Sequence, residues 1–206
     1  MSDFAEIRDL MCRKLKQSSI PPRMLLSRFR FIDEKSRYSR ACLDPNYLPF
    51  YFYLGRLFPR QSVLEIGFGL GLNGSLYMMG CSEVNDYLAI QEITNEYYSL
   101  RLGRANVKQV YNKTAGLYVG KLHDEIFMNR MRIHKWDVAI ITEIRGYDTN
   151  VSWLSTVWDE MNDGGIICID NTETEVVNKS YRDFCRIKGR EPFIFPTRYG
   201  IGVIEK

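Results

Sequence analysis

Three glycines at alternate positions, Gly67, Gly69 and Gly71, follow directly on the apolar run Ser62-Val63-Leu64-Glu65-Ile66. Residues without a Cβ let backbone and ligand approach closely, so at a strand end they form a cradle for a nucleoside or phosphate. Glu65 stands two residues before the first glycine, in an otherwise apolar strand. A carboxylate there is costly unless it has a partner. Either neighbouring backbone amides donate to it, or it meets the cationic end of a ligand. Glu92 lies about 20 residues further on, where a carboxylate can hold a ribose diol through two charge-assisted hydrogen bonds. Its alternative reading is an exposed acid at a helix N-terminus. Glu143 closes the apolar run Asp137-Val138-Ala139-Ile140-Ile141, a position suited to a general base or substrate anchor. The stretch Gly69-Leu70-Gly71-Leu72-Asn73-Gly74 also satisfies GxGxxG, which by itself keeps a nicotinamide-dinucleotide fold open.

These residues need a scaffold that brings several strand ends together. Residues 4–17 carry Phe4, Ile7, Leu10 or Met11, and Leu15 at helical spacing, and Pro21-Pro22 ends that helix. Residues 23–40 are basic and read as irregular, and the aromatic stretch 47–54 reads as a helix. From residue 62 strands and helices alternate. Expected strands are 62–66, 87–91, 107–111, 137–141 and 166–169. Expected helices open near Asn73, span 95–104 and 115–131, and include the faces Trp153, Leu154, Val157, Trp158 and Val177, Tyr181, Phe184. The turn Asn162-Asp163-Gly164-Gly165 leads into the fifth strand. Residues 193–204 read as two strands around a short turn. Strand–helix alternation demands a parallel sheet with right-handed crossovers, and the closing pair must be antiparallel to each other. The expected fold is α/β, a doubly wound, mostly parallel sheet with a C-terminal antiparallel hairpin. Residues 1–58 are read as a helical cap or lid and 59–206 as the ligand-binding domain.

Val63-Leu64-Glu65-Ile66-Gly67-Phe68-Gly69-Leu70-Gly71 resembles the first motif of class I S-adenosylmethionine-dependent methyltransferases, and Glu92-Ile93-Thr94-Asn95-Glu96 resembles their second. Trp136 to Glu143, and then Gly164-Gly165-Ile166-Ile167, resemble the fourth and fifth segments. The ordered set covers roughly residues 60–206 and implies the seven-stranded Rossmann-like methyltransferase fold. It implies S-adenosylmethionine as cofactor, with Glu65, Gly67, Phe68, Gly69 and Gly71 around its methionine part. It implies Glu92 on the ribose, Ile93 beside the adenine, and Glu143 with Ile144 near the transferred methyl group. Lys113-Thr114-Ala115 takes the place of the third, adenine-binding motif, with Thr114 in the site but without the acid often found there. Ile169-Asp170-Asn171 resembles the magnesium-binding segment of catechol-type enzymes. Helix capping is the favoured reading of that pair, and no metal ligand is assigned.

Composition narrows the class. Five cysteines without a CxxC pair, and only two histidines, argue against zinc and for reduced core thiols in the cytoplasm. No apolar run approaches ~18 residues, so no membrane span is expected. A formal charge of +3 does not point to nucleic acid. The turn Thr142-Glu143-Ile144-Arg145 lacks the Pro-Pro of amine methyltransferases acting on bases or glutamine. Asp44-Pro45-Asn46-Tyr47 mimics that motif but precedes the first strand and is read as a helix-capping turn. The basic 23–40 segment is read as a lid, an acidic-substrate contact or solvated surface. The expected activity is O- or N-methylation of a small molecule. A non-catalytic binding or assembly protein, or a nicotinamide-dependent oxidoreductase, are the alternatives.

Overall fold

The computed structural model describes residues 4–17, 20–29, 44–92, 97–113, 115–121, 123–143 and 146–206. Most of the basic 23–40 segment, together with Ile93, Thr114 and Ile144, lies outside them.

Apolar residues on both faces of the central strands drive them into the middle of a three-layer fold. The strands are β1 (Ser62–Ile66), β2 (Asp86–Gln91), β3 (Gly116–Val119), β4 (Trp136–Ile141), β5 (Met161–Asp170), β6 (Phe193–Phe195) and β7 (Ile201–Glu205). They form one seven-stranded sheet in the order β3-β2-β1-β4-β5-β7-β6. Strands β1 to β5 pair in parallel, while β7 runs antiparallel to both β5 and β6. This is the doubly wound sheet with a terminal hairpin that the sequence predicts.

Helices α1 (Phe4–Lys16), α2 (Pro22–Leu26), α3 (Tyr47–Leu57), α4 (Leu72–Gly80) and α5 (Tyr97–Val110) cover one face. Their Leu48, Leu54, Leu76 and Val107 meet Val63, Val138 and Cys168 there. Helices α6 (Glu125–Met131), α7 (Tyr147–Asp159) and α8 (Glu175–Ile187) cover the other, where Phe127, Leu154 and Phe184 meet Leu64, Ala139 and Ile167. Period-two alternation in β1 thus sends Val63 and Glu65 to the first face, and Leu64 and Ile66 to the second. The N-terminal helices share the first core: Phe4 packs edge-on against Phe58 at 5.9 Å between ring centres. Among the described residues no helix is long and apolar enough to cross a membrane.

Four expectations need correction. The segment 107–111 is not a strand; Val107 and Val110 end α5, and Tyr111 follows. Leu100, Gly103, Val107 and Tyr111 recur at three- and four-residue spacing, and that helical stripe outweighed the β-propensity of Val and Tyr. The third strand is 116–119, short and half-exposed at the sheet edge, so its pattern was weak. The expected helix 115–131 accordingly divides into β3 and the shorter α6. Asn162 to Gly165 is not a break before β5 but part of it. There the register against β4 shifts, Gly164 adopts φ 74°, and Gly164 and Gly165 both bond to Lys206. Within the segment expected to be irregular, residues 22–26 form the short helix α2.

Candidate functional site

Strands β1 and β4 are neighbours, yet the helices that follow them leave toward opposite faces: α4 joins the first core and α7 the second. A crevice opens at such a switch point, outside the carboxyl ends of the strands. The glycine loop fills its rim. Gly67, Gly69 and Gly71 all have positive φ, at 91°, 48° and 63°, a region closed to most side chains. Gly67 is also sterically obligatory. A methyl group on it would lie 2.5 Å from Thr142 Oγ1 and 2.6 Å from the Glu143 amide nitrogen. The loop therefore touches the end of β4, next to Thr142 and Glu143.

Three side chains hold the loop in place. Thr142 Oγ1 donates to the Gly67 carbonyl at 2.5 Å, and the Gly69 amide donates to Gln91 Oε1 at 2.7 Å. From α5, buried Asn106 donates to the Leu70 carbonyl at 3.1 Å, and Gly103 lets the helix approach the loop. The sequence reading missed Gln91, Gly103 and Asn106. A polar residue at the end of an apolar strand, and a glycine and asparagine on the inward stripe of a helix, are the signals that could have found them.

Phe68 does not face the crevice. Its ring is buried beneath the loop, where added Cβ atoms on Gly71 and Gly103 would meet it at 2.8 and 2.6 Å. Glu65 is also buried, at 1% exposure. The Tyr87 hydroxyl and the Gly74 amide both donate to its carboxylate. Burial pushes its pKa up to about 8 despite those bonds, and the charge of Asp170 adds to the rise. Gly74 is what leaves room for it, since a Cβ there would lie 2.6 Å from the Glu65 carboxylate.

A second buried acid ends β5. Tyr47 and Tyr51 of α3 each donate to one oxygen of Asp170, Tyr51 at 2.7 Å, and Asn73 of α4 donates to the Tyr47 hydroxyl at 3.1 Å. Burial raises the Asp170 pKa to about 6, against the opposing effect of the two phenols. This arrangement does not suit magnesium. Both carboxylate oxygens are engaged by phenols, Asn171 sits at φ 62°, and no cluster of three His, Cys, Asp or Glu among the described residues could hold a metal ion. Asp44 is tied elsewhere: it accepts from the Asn46 amide at the start of α3 and from the Arg198 amide in the β6–β7 turn. Its Asp-Pro-Asn-Tyr segment is thus a helix-entry turn pinned to the hairpin.

Glu92 follows β2, half-buried, on the same edge as the glycine loop, since Gly67 and Phe68 both donate to Ile90. Ile93 and Thr114 lie outside the described residues. Lys113 and Ala115, on either side of Thr114, precede β3 and so belong to the opposite edge of the sheet. Lys113 bonds there to Val84 and Asn85. The misplaced third strand carried the third motif with it. The turn that leaves β3 toward the crevice begins at Gly120, whose amide donates to the Gln91 carbonyl at 3.0 Å. His134 stacks on Trp136 ahead of β4, and His123 is exposed after β3.

No protein-family model matches the chain, and no curated protein matches it. Solved structures do. The chain resembles the methyltransferase PaMTH1 of Podospora anserina, solved with S-adenosylhomocysteine, at a TM-score of 0.66 and 13% identity. That match covers 100% of this chain and 97% of that one. It resembles the O-methyltransferase TomG of Streptomyces achromogenes, solved with S-adenosylmethionine, at 0.58 and 13%, over 94% and 87% of the two chains. An O-methyltransferase of Bacillus cereus, solved with S-adenosylhomocysteine, matches at 0.56 and 13%, over 96% and 91%. The shared feature is the fold, the Rossmann-like fold of class I methyltransferases.

Proposed function

We propose that this chain is an S-adenosylmethionine-dependent methyltransferase acting on oxygen or nitrogen of a small acceptor. One observation carries the reading: a three-glycine loop with left-handed backbone at the β1–β4 switch point, with Glu92 and Glu143 at its rim. Glycine at each left-handed position of the loop supports the reading, because the absence of a Cβ lets a ligand approach the backbone closely. The solved relatives with S-adenosylmethionine or its demethylated product bound support this, and the two named O-methyltransferases favour oxygen. Residues 59–206 would form the cofactor domain and 1–58 its cap, in a cytoplasmic protein.

The cofactor supplies an electrophilic methyl group on a sulfonium, and the chain supplies position and a proton acceptor. Glu92 would hold the ribose hydroxyls, and the Gly67–Gly71 backbone the methionine part. Glu65 would answer the cationic end from below the loop, where a positive charge favours its ionised form. Glu143 would take the proton that the acceptor atom loses as its new bond to carbon forms. A non-catalytic binding role is the second reading. It is favoured by one specific contact, the Gln91 amide oxygen that already occupies the Gly69 amide.

Calorimetry with S-adenosylmethionine and S-adenosylhomocysteine tests the proposal. Micromolar binding, weakened at least about tenfold by Glu92→Ala, is the expected result. Silence from a well-folded sample would overturn it. Binding without turnover across an acceptor screen would select the second reading.

A further inference from the structure

A cleft of about 370 Å³ lies between α5 and the edge of the sheet, away from the strand ends that carry Glu92 and Glu143. It runs from the Phe68 ring, past Tyr87 and Tyr111, to Lys113 and Ala115 ahead of β3. Its volume is at the lower end of the range of small-molecule sites, about 300–1,000 Å³. The walls are apolar and aromatic: Val107 and Leu117 face it, and Tyr87 and Tyr111 stand edge-to-face at 6.1 Å.

Charge is distributed unevenly along it. Arg104 and Lys108, four residues apart on α5, both line the opening and are exposed. Neither makes an ion pair among the described residues. Lys113 is different, as its ammonium is already held by the Val84 carbonyl and the Asn85 side chain. The Tyr111 hydroxyl is likewise spent on the Asn85 carbonyl at 2.6 Å, and burial, with the charge of Asp86 adding to it, disfavours its ionisation. An acidic head therefore finds two cations without an ion pair at the Arg104 and Lys108 end, while a flat apolar body finds rings along the rest.

We propose that this cleft is a second ligand site, taking a small aromatic anion with its ring laid against the wall that Tyr87, Tyr111 and Val107 form and its acidic group at Arg104 and Lys108. The site does not depend on the function proposed above, because no side chain of its walls is assigned to the cofactor crevice, the Phe68 ring being turned away from it.

Titration with anilinonaphthalene sulfonate, an apolar aromatic probe bearing one anionic group, tests it on the full chain by fluorescence. One saturable site is expected, weakened at least about tenfold in Arg104→Glu/Lys108→Glu. Ala115→Trp, which fills the cleft with an indole, should abolish it. Circular dichroism and the melting curve establish that each variant is folded, and the rim variant alters only exposed side chains. Undiminished binding in the folded rim variant would overturn the proposal, as would the absence of a saturable site in the unaltered protein. S-adenosylhomocysteine affinity is measured in parallel. The rim variant should leave it unchanged, and its absence from every sample would count against the proposed enzyme without touching this site.

Discussion

The hydroxyl of Tyr87 on β2 donates to the carboxylate of Glu65 on β1, and both groups are buried between the sheet and α4. Glu65 holds its proton up to about pH 8 in the folded chain, against 4.5 as its ordinary value. Asp170 does so up to about 6, against 3.8. In each case the native state binds the proton more tightly than the unfolded chain. Stability is therefore fully present below the ordinary values and is lost as pH rises, through 3.8 to 6 for Asp170 and 4.5 to 8 for Glu65. Thermal melts should show stability falling between pH 5 and 8, with Glu65 contributing on the order of a few kcal/mol. Glu65→Gln should flatten that decline. An unchanged slope in the variant would show that Glu65 is not the group responsible.

Gly67 and Gly189 separate two costs of replacing glycine. Both have positive φ, at 91° and 64°, but a Cβ on Gly67 meets backbone and side chain of β4 while one on Gly189 meets nothing within 4 Å. Gly189→Ala should cost about 1–2 kcal/mol from conformation alone. Gly67→Ala adds overpacking and should reach about 3–5 kcal/mol in urea unfolding. Equal costs would mean that the loop yields freely against Thr142 and Glu143.

Tyr51→Phe removes one of two phenols on Asp170 and leaves a fully buried carboxylate oxygen without that donor. A loss of about 1–3 kcal/mol is expected, and the Asp170 pKa should move further up from about 6. Tyr47→Phe should cost less, since the Tyr47 side chain is only half-buried and water can replace its hydroxyl. A carboxyl NMR titration checks the direction, and a downward move in Tyr51→Phe would contradict it.

Gln91→Ala frees the Gly69 amide from its side-chain acceptor. If Gln91 positions the loop, cofactor affinity should fall about tenfold while global stability changes by about 1 kcal/mol. If the side chain instead competes with the cofactor for that amide, affinity should rise. Calorimetry on the variant distinguishes the two directions.

The order of elements, the parallel core and the closing hairpin can be read from the amino-acid order alone, because apolar runs and glycine turns are local signals. Amino-acid order also located the glycine loop and the strand-end acids Glu65, Glu92 and Glu143, since strand ends can be counted from the pattern. The third strand escaped because Gly116–Val119 is a short edge strand, while Val107 and Tyr111, which look like strand residues, belong to a helical stripe packed on Phe68 and Tyr87. With that strand went the third motif. The direction in which side chains point came from the packing of the folded chain. That packing turned Phe68 inward, closed Asp170 under Tyr47 and Tyr51 from a helix more than a hundred residues earlier, and clamped the loop with Gln91 and Asn106. A hydrogen bond between residues distant in sequence leaves no periodic trace in either segment. Its existence depends on which strands become neighbours, and that is settled by burial over the whole chain.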